Sequence, residues 1–202
     1  GDFLIGVAVE NGTVVWLTTQ FRYYYDGTNY ETLGTPNVQA KNTGVINVAI
    51  ASLVTVNSSS AGAFLRYIAD VSTHATGITW YKATGIADIN VFDKFATATG
   101  SGVDATAGPT DTLIQADELA IGATAVGDEI DDAHGTFTTG ATYLSGNEQF
   151  DATNGGGDTS NIQVHSVAEV VSATTAQNVA DTGHNSSNWA AAIATYKGAA
   201  AG

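Results

Sequence analysis

Val45-Ile46-Asn47-Val48-Ala49-Ile50-Ala51-Ser52-Leu53-Val54-Thr55-Val56 is the stretch on which the fold turns. Ile46, Val48, Ile50, Val54 and Val56 share one parity, and Asn47, Ala49, Ala51 and Thr55 share the other. A period of two predicts a strand with one face in a core and the other wet. The same texture continues outward on both sides. It predicts further strands over residues 3–10, 13–19, 63–69, 77–83, 86–95, 112–126, 136–144 and 162–172, about nine or ten in all at sandwich-like spacing. Asn11-Gly12 lies between the first two runs, a dipeptide that tolerates positive φ and predicts a type I′ hairpin. Ala98-Thr99-Gly100-Ser101-Gly102, Gly108-Pro109 and Asn154-Gly155-Gly156-Gly157-Asp158 are rich in turn formers and predict loops.

The segment from Ser186 to Gly198 leaves two alternatives open. Ser186 or Ser187 would cap a helix, Trp189, Ile193 and Tyr196 recur at helical spacing, the alanines favour helix, and Gly198 suits a C-terminal stop. An apolar run with two uncharged faces equally fits a central strand between two layers.

The 202 residues suit one domain of all-β type, since sandwiches of this length commonly fold as a unit. Hydrophobic residues make up 44% of the chain, enough for a sizeable core, whereas the charged share is 13%, so Thr, Ser, Asn and Gly must cover the surface. Such a surface suits an extracellular or particle-borne protein. Asp and Glu number 20 against six Lys and Arg, for a formal net charge of −14. That field repels phosphate backbones and forgoes counterion release, which argues against nucleic acid as a partner. The absence of cysteine removes disulfides and thiolate metal sites. The most apolar segment is interrupted by Asn47 and Ser52 and predicts no membrane-spanning helix. The chain opens on Gly1-Asp2-Phe3 without Met or a basic leader, and an upstream element is expected to have been removed.

Several segments, in their order, resemble a family of β-sandwich modules, jelly-roll or immunoglobulin-like, found in phage virion proteins and in surface proteins of environmental bacteria. Tyr25-Asp26-Gly27-Thr28-Asn29-Tyr30-Glu31-Thr32-Leu33-Gly34 looks like the family's turn and following strand. Trp80-Tyr81-Lys82-Ala83-Thr84-Gly85-Ile86 looks like its central aromatic-basic strand, followed by the Gly-Ser-Gly loop. Asp117-Glu118-Leu119-Ala120-Ile121-Gly122-Ala123 resembles the strand that re-enters the core. Trp189 to Lys197 resembles the terminal strand, which favours β there. The resemblance spans most of the chain, although residues 45–85 carry more strand-like material than the family pattern, and the family's usual first strand is absent upstream of Gly1.

The resemblance implies an antiparallel two-sheet β-sandwich serving as a non-enzymatic structural subunit of a phage virion, as a capsid decoration, spike or tail-fibre protein on the particle surface. Its partners would be copies of itself and other virion subunits, bound through strand edges and apolar patches. Because the chain begins inside a strand, the edge carrying Phe3, Ile5, Val7 and Val9 is expected to be completed by a neighbouring subunit. Two alternatives stand beside this: a carbohydrate-binding module that holds cell-surface glycan, with calcium as a candidate cofactor, and a subunit of a cellular extracellular filament.

Candidate sites follow from residue type. Tyr23, Tyr24, Tyr25 and Tyr30 lie close to Asp26 and Asn29, the combination of rings and polar groups by which lectin-like sandwiches hold sugars, although core or interface packing uses the same rings. Asp128, Glu129, Asp131 and Asp132, together with Asp151, Asn154 and Asp158 around the glycine run, offer the hard oxygen ligands that calcium takes. His74, His134, His165 and His184 are scattered without ligand spacing and predict solvated loop positions. His165 and Glu169 share a face, but four residues of strand separate them by about 13 Å. No nucleophile elbow and no carboxylate pair in a catalytic setting is recognisable, so no enzyme is expected. Asn11, Asn57 and Asn185 sit in glycosylation-like triplets that a chain this rich in Asn, Ser and Thr produces by chance.

Overall fold

A computed structural model describes residues 2–12, 20–34, 36–42, 46–55, 57, 60–69, 75–87, 90–127, 136–139, 148–152 and 161–199, with backbone pairing alone for 136–139 and 148–152. The first half forms β1 (Phe3–Asn11), β2 (Phe21–Tyr24), β3 (Tyr30–Thr32), β4 (Val38–Asn42), β5 (Ile46–Val54), β6 (Phe64–Tyr67) and β7 (Thr76–Ala83). The second half forms β8 (Phe92–Ala107), β9 (Glu118–Val126), β10 (Thr136–Thr139), β11 (Glu148–Ala152), β12 (Ile162–Val171) and β13 (Val179–Lys197). The chain is all-β, and among the described residues every strand pair is antiparallel.

Two sheets face each other across the main core. One has the order β4-β5-β1-β7; the other runs β10-β13-β9-β12-β11, with β8 paired to β13. Alternation decides which residues meet. Phe3, Ile5, Val7 and Val9 of β1 and Ile46, Val48 and Ile50 of β5 pack against Leu119, Ile121, Ala123 and Ala125 of β9 and against Ala190, Ala192, Ala194 and Tyr196 of β13. Each large aliphatic side chain buried there contributes on the order of 1.5–3 kcal/mol. Phe3 meets Tyr196 edge to face at 5.1 Å between ring centres.

Asn47, Ala49 and Ala51 were expected to face water. They are buried, because a third sheet, β3-β2-β6, covers the outer face of the first. Phe21, Leu33, Tyr67 and Trp80 pack there against Ala8, Ala49 and Ala51. Gly6 allows the approach: a Cβ on it would stand 2.5 Å from Phe21 and 2.7 Å from Trp80. The fold is therefore a two-sheet sandwich with a third, smaller layer. Small residues read as a polar face when they are in fact a floor for rings.

β13 solves a similar problem in the other sheet. Residues Trp189–Lys197 pair with β9 and β8, whereas Val179–Thr182 pair with β10 and with the far end of β8 across an irregularity near Gly183, whose φ is +80°. The bend carries Val179 over Gly122 and Val167 on the sheet's outer face, where an added Cβ on Gly122 would meet Val179 at 2.9 Å. That face is buried too.

The segment at 188–197 is thus strand, and the helical alternative is excluded. The loop expected at Ala98–Gly102 is instead the middle of β8. Gly100 lies opposite Trp189, and the indole occupies the space a side chain would take, with Cζ2 2.6 Å from an ideal Cβ position. Residues 86, 87, 90, 91 and 112–117 lie outside strands; Ile86 makes a single bridge to Gly198.

The expectation that Phe3, Ile5, Val7 and Val9 mark an open assembly edge is overturned. β1 is an inner strand, flanked along its length by β5 and β7. All four side chains point into the core, and both ladders of backbone groups are occupied. The Asn11-Gly12 hairpin fails for the same reason: Asn11 continues the strand opposite Ile46, and its N–H donates to the Ala75 carbonyl at 3.0 Å. Residues 13–19 lie outside the described residues.

Candidate functional site

Two features of the surface stand out, a cleft between strand edges and an aromatic face. Among the described residues the first sheet ends at β7, and in the second sheet Glu148–Ala152 of β11 pair with Ile162–Ser166 of β12. Beyond Ser166, Val167–Val171 of β12 pair with β9 on one side. A cleft of about 610 Å³ lies between β7 and this end of β12, lined by Trp80, Tyr81, Ile86, Leu119, Ala168 and Val170 among others. Val170 is 54% exposed. The Tyr81 hydroxyl and Ser166 Oγ, 2.7 Å apart, tie the two sheets at the inner end of the cleft. Lys82, on the β7 edge, pairs with Asp2 at 2.8 Å. Such an edge carries main-chain donors and acceptors with an apolar trough beside them, the geometry that strand addition uses.

The aromatic face lies on the solvent side of the third sheet, and register builds it. Tyr24 stands opposite Tyr30 on one side and Phe64 on the other, and Arg22 stands opposite Arg66. Alternation sends these side chains outward, whereas Phe21 and Tyr23 turn inward and are buried. Tyr24 and Phe64 stack at 4.4 Å with planes 9° apart, and Tyr30 flanks Tyr24 at 5.0 Å. The Arg22 guanidinium lies 4.5 Å over the Tyr30 ring, a cation–π arrangement, and one of its N–H groups reaches the Tyr24 hydroxyl at 3.5 Å. The hydrogen bond from Arg22, with further pull from Arg66, holds the Tyr24 phenol below its ordinary value.

Of the predicted sugar-binding residues, the structure brings Tyr24 and Tyr30 together on this face. Tyr23 is buried beneath it, and Tyr25 leads into the turn, its ring 6.4 Å from that of Tyr23. Asp26 and Asn29 serve the turn itself. The Asp26 carboxylate accepts hydrogen bonds from the backbone N–H of Thr28 at 2.8 Å and of Asn29 at 2.6 Å, and from the Asn29 side-chain amide at 2.8 Å. These bonds, the side-chain one foremost, hold the Asp26 carboxyl below the usual range. Arg22, Phe64 and Arg66 were not anticipated. Parity within Phe21–Tyr24 would have placed Arg22 beside Tyr24, but Phe64 and Arg66 arrive only through pairing with a strand some forty residues later.

Buried polar groups were also missed. His165 and His184 are not solvated; they are buried. His165 Nδ1 lies 3.0 Å from Asp181 Oδ2, which also accepts a hydrogen bond from the Thr124 hydroxyl at 3.2 Å. The folded-back half of β13 delivers Asp181 onto the outer face of β9 and β12. Glu118, fully buried, lies beside Asp93, whose Oδ2 accepts the backbone N–H of Ile114 at 2.9 Å. Burial pushes the Glu118 carboxyl up to about 6; the Thr195 hydroxyl acts against this, and the Asp93 carboxyl acts with it. This carboxyl pair is sealed in the sheet's outer layer, with Asp93 1% exposed at its side chain. Burial also raises the Tyr196 phenol.

The calcium candidates Asp128, Glu129, Asp131, Asp132, Asn154 and Asp158 lie outside the described residues, as do His74 and His134. Asp151 is in β11 opposite Gln163. Among the described residues no group of three or more His, Cys, Asp or Glu is placed to hold a metal ion, and no helix is long and apolar enough to cross a membrane. Comparison of the chain with family models, curated proteins and solved structures finds no match.

Proposed function

We propose that this protein is a non-enzymatic structural subunit of a phage virion, a decoration, spike or fibre component on the particle surface, that assembles with copies of itself and other virion subunits through open strand edges. The observation that supports the assembly step is the apolar cleft between β7, the last strand of its sheet among the described residues, and the end of β12. A strand from a neighbouring subunit laid along β7 would gain main-chain hydrogen bonds and bury the trough formed by Trp80, Leu119, Ala168 and Val170. The virion setting rests on the resemblance of the turn, the aromatic-basic strand and the terminal strand described above. A surface poor in charge and rich in Thr, Ser, Asn and Gly accords with it.

Sedimentation velocity over a concentration series tests the assembly step, with Val170→Lys as the probe because its side chain lies exposed at the cleft. The wild type should associate and the variant should remain a folded monomer. A wild type monomeric at every concentration, or a variant that associates equally, refutes the edge. Electron microscopy of the native source separates a shell or tail from a cellular filament.

A second reading, a carbohydrate-binding module, is favoured by the Phe64–Tyr24–Tyr30 row, since a row of solvent-facing rings is a surface for the apolar faces of sugars. The two readings are compatible at the tip of a fibre.

A further inference from the structure

We propose that the outer face of β2, β3 and β6 binds an acidic carbohydrate, a glycan bearing a uronic or sialic acid residue, with Arg22 and Arg66 taking the carboxylate and the Phe64–Tyr24–Tyr30 row taking the sugar rings. This inference rests on the carbohydrate-binding reading and specifies its ligand class.

The argument begins with where the positive charge lies. Six cationic side chains stand against 20 carboxylates in this chain, yet two of the six, Arg22 and Arg66, sit directly opposite each other on adjacent strands of one face. Like charges in that position repel and weaken a sheet, and the contacts of Arg22 with Tyr30 and Tyr24 offset part of that. An anion between the two guanidiniums reverses the sign of the interaction. Guanidinium is the cation suited to the task, because its planar fork matches a carboxylate with two parallel hydrogen bonds.

The neighbouring rings select the rest of the ligand. Phe64 and Tyr30 are 43% and 44% exposed, large apolar surfaces left facing water within reach of the arginine pair, and the Tyr24 hydroxyl lies between ring row and guanidinium. An acidic sugar presents both partners at once, a carboxylate at one edge of a ring and C–H groups on its face. Charge argues against larger anions. A nucleic acid would bring many negative charges toward a molecule of net charge −14, and repulsion would act over the whole approach. A saccharide bearing isolated carboxylates meets little of that field.

Isothermal titration of the full chain tests the inference with four probes: galacturonate, its methyl ester, sialyllactose and lactose. Esterification removes charge and keeps ring shape. One acid should bind at least about tenfold more tightly than its uncharged counterpart, the preference that charge-assisted hydrogen bonds support, and added salt should weaken it. Comparison of the uronate and sialate arms names the source of the carboxylate. Arg66→Gln, at an exposed position, should abolish the preference with an unchanged far-ultraviolet dichroism spectrum, Arg66→Lys should retain part of it, and Phe64→Ala should weaken acid and neutral forms alike. Equal binding of acid and neutral forms overturns the acidic specificity and leaves the carbohydrate reading standing. Binding of none of the four probes overturns both. Acid binding untouched by Arg66→Gln and Phe64→Ala overturns the site, and self-association lost in Arg66→Gln assigns the face to a second copy and overturns the proposal.

Discussion

Glu118→Gln should change how the protein's stability responds to pH. The Glu118 carboxyl is fully buried beside Asp93, and its value in the fold is about 6 against an ordinary 4.5. That separation corresponds to about 2 kcal/mol between the protonated and ionised forms. Because the folded value is raised, the native state holds its proton more tightly than the unfolded chain. The contribution is therefore complete below about pH 4.5 and is lost as the pH climbs through about 6. Glutamine keeps the shape of the protonated acid and cannot ionise, so the variant should match the wild type near pH 4 and exceed it by up to about 2 kcal/mol at pH 7, or roughly 4–8 °C in Tm for a chain of this size. Urea unfolding followed by Trp fluorescence at half-unit steps from pH 4 to 8 measures both curves, and their difference removes titrations common to the two proteins. Parallel curves, or a variant less stable than the wild type at pH 7, would refute the raised carboxyl and with it the sealed environment of Glu118.

Three further outcomes follow from packing and polarity. Gly6→Ala should cost about 1–3 kcal/mol and alter Trp80 emission, because the new methyl overlaps Phe21 and Trp80 and forces the small sheet away from β1; unchanged emission and stability would mean that the third sheet does not rest there. Ile50→Ala, which opens a cavity in the main core, should cost about 2–5 kcal/mol by chemical denaturation, whereas Phe64→Ala on the aromatic face should change stability by less than about 1 kcal/mol. Asp181→Ala should destabilise by about 1–3 kcal/mol, since it leaves the buried His165 imidazole and Thr124 hydroxyl without the carboxylate they share; retention of wild-type stability would place the folded-back arm of β13 elsewhere.

Strands were legible wherever one face is large and branched. Phe3, Ile5, Val7 and Val9, and likewise Ile46, Val48 and Ile50, alternate with smaller residues, and periodicity alone locates β1 and β5 within a residue or two. Legibility ended where both faces are covered. Along 190–195 alanines face the main core and the outer layer alike, so no alternation of polarity remains and helix propensity competes with strand on equal terms. The same ambiguity hid the third sheet, because Gly6, Ala8, Ala49 and Ala51 resemble neither an apolar nor a polar face until Phe21 and Trp80 rest on them. The aromatic site was legible in half. Tyr24 and Tyr30 are near neighbours in sequence, whereas Phe64 and Arg66 depend on a register between β2 and β6 that residue chemistry does not announce. The expectation of an edge at β1 failed because a strand's position within its sheet is set by its partners, which the residues of β1 do not name.

The placement of β13 bears on how the molecule is made. Trp189–Lys197 is the inner neighbour of both β8 and β9, although it leaves the ribosome long after them, and Val179–Thr182 then lies over the face that β9 and β12 present. A nascent chain halted before this strand can zip β1 to β5 and β7, yet its second half has β9 and β8 with no shared partner and the alanine-lined faces bare. Pairings this distant in sequence close slowly. Emergence of the late strand is then the event that completes the sandwich, and a chain truncated at about residue 178 should accumulate as an ordered amino-terminal half attached to a protease-sensitive remainder.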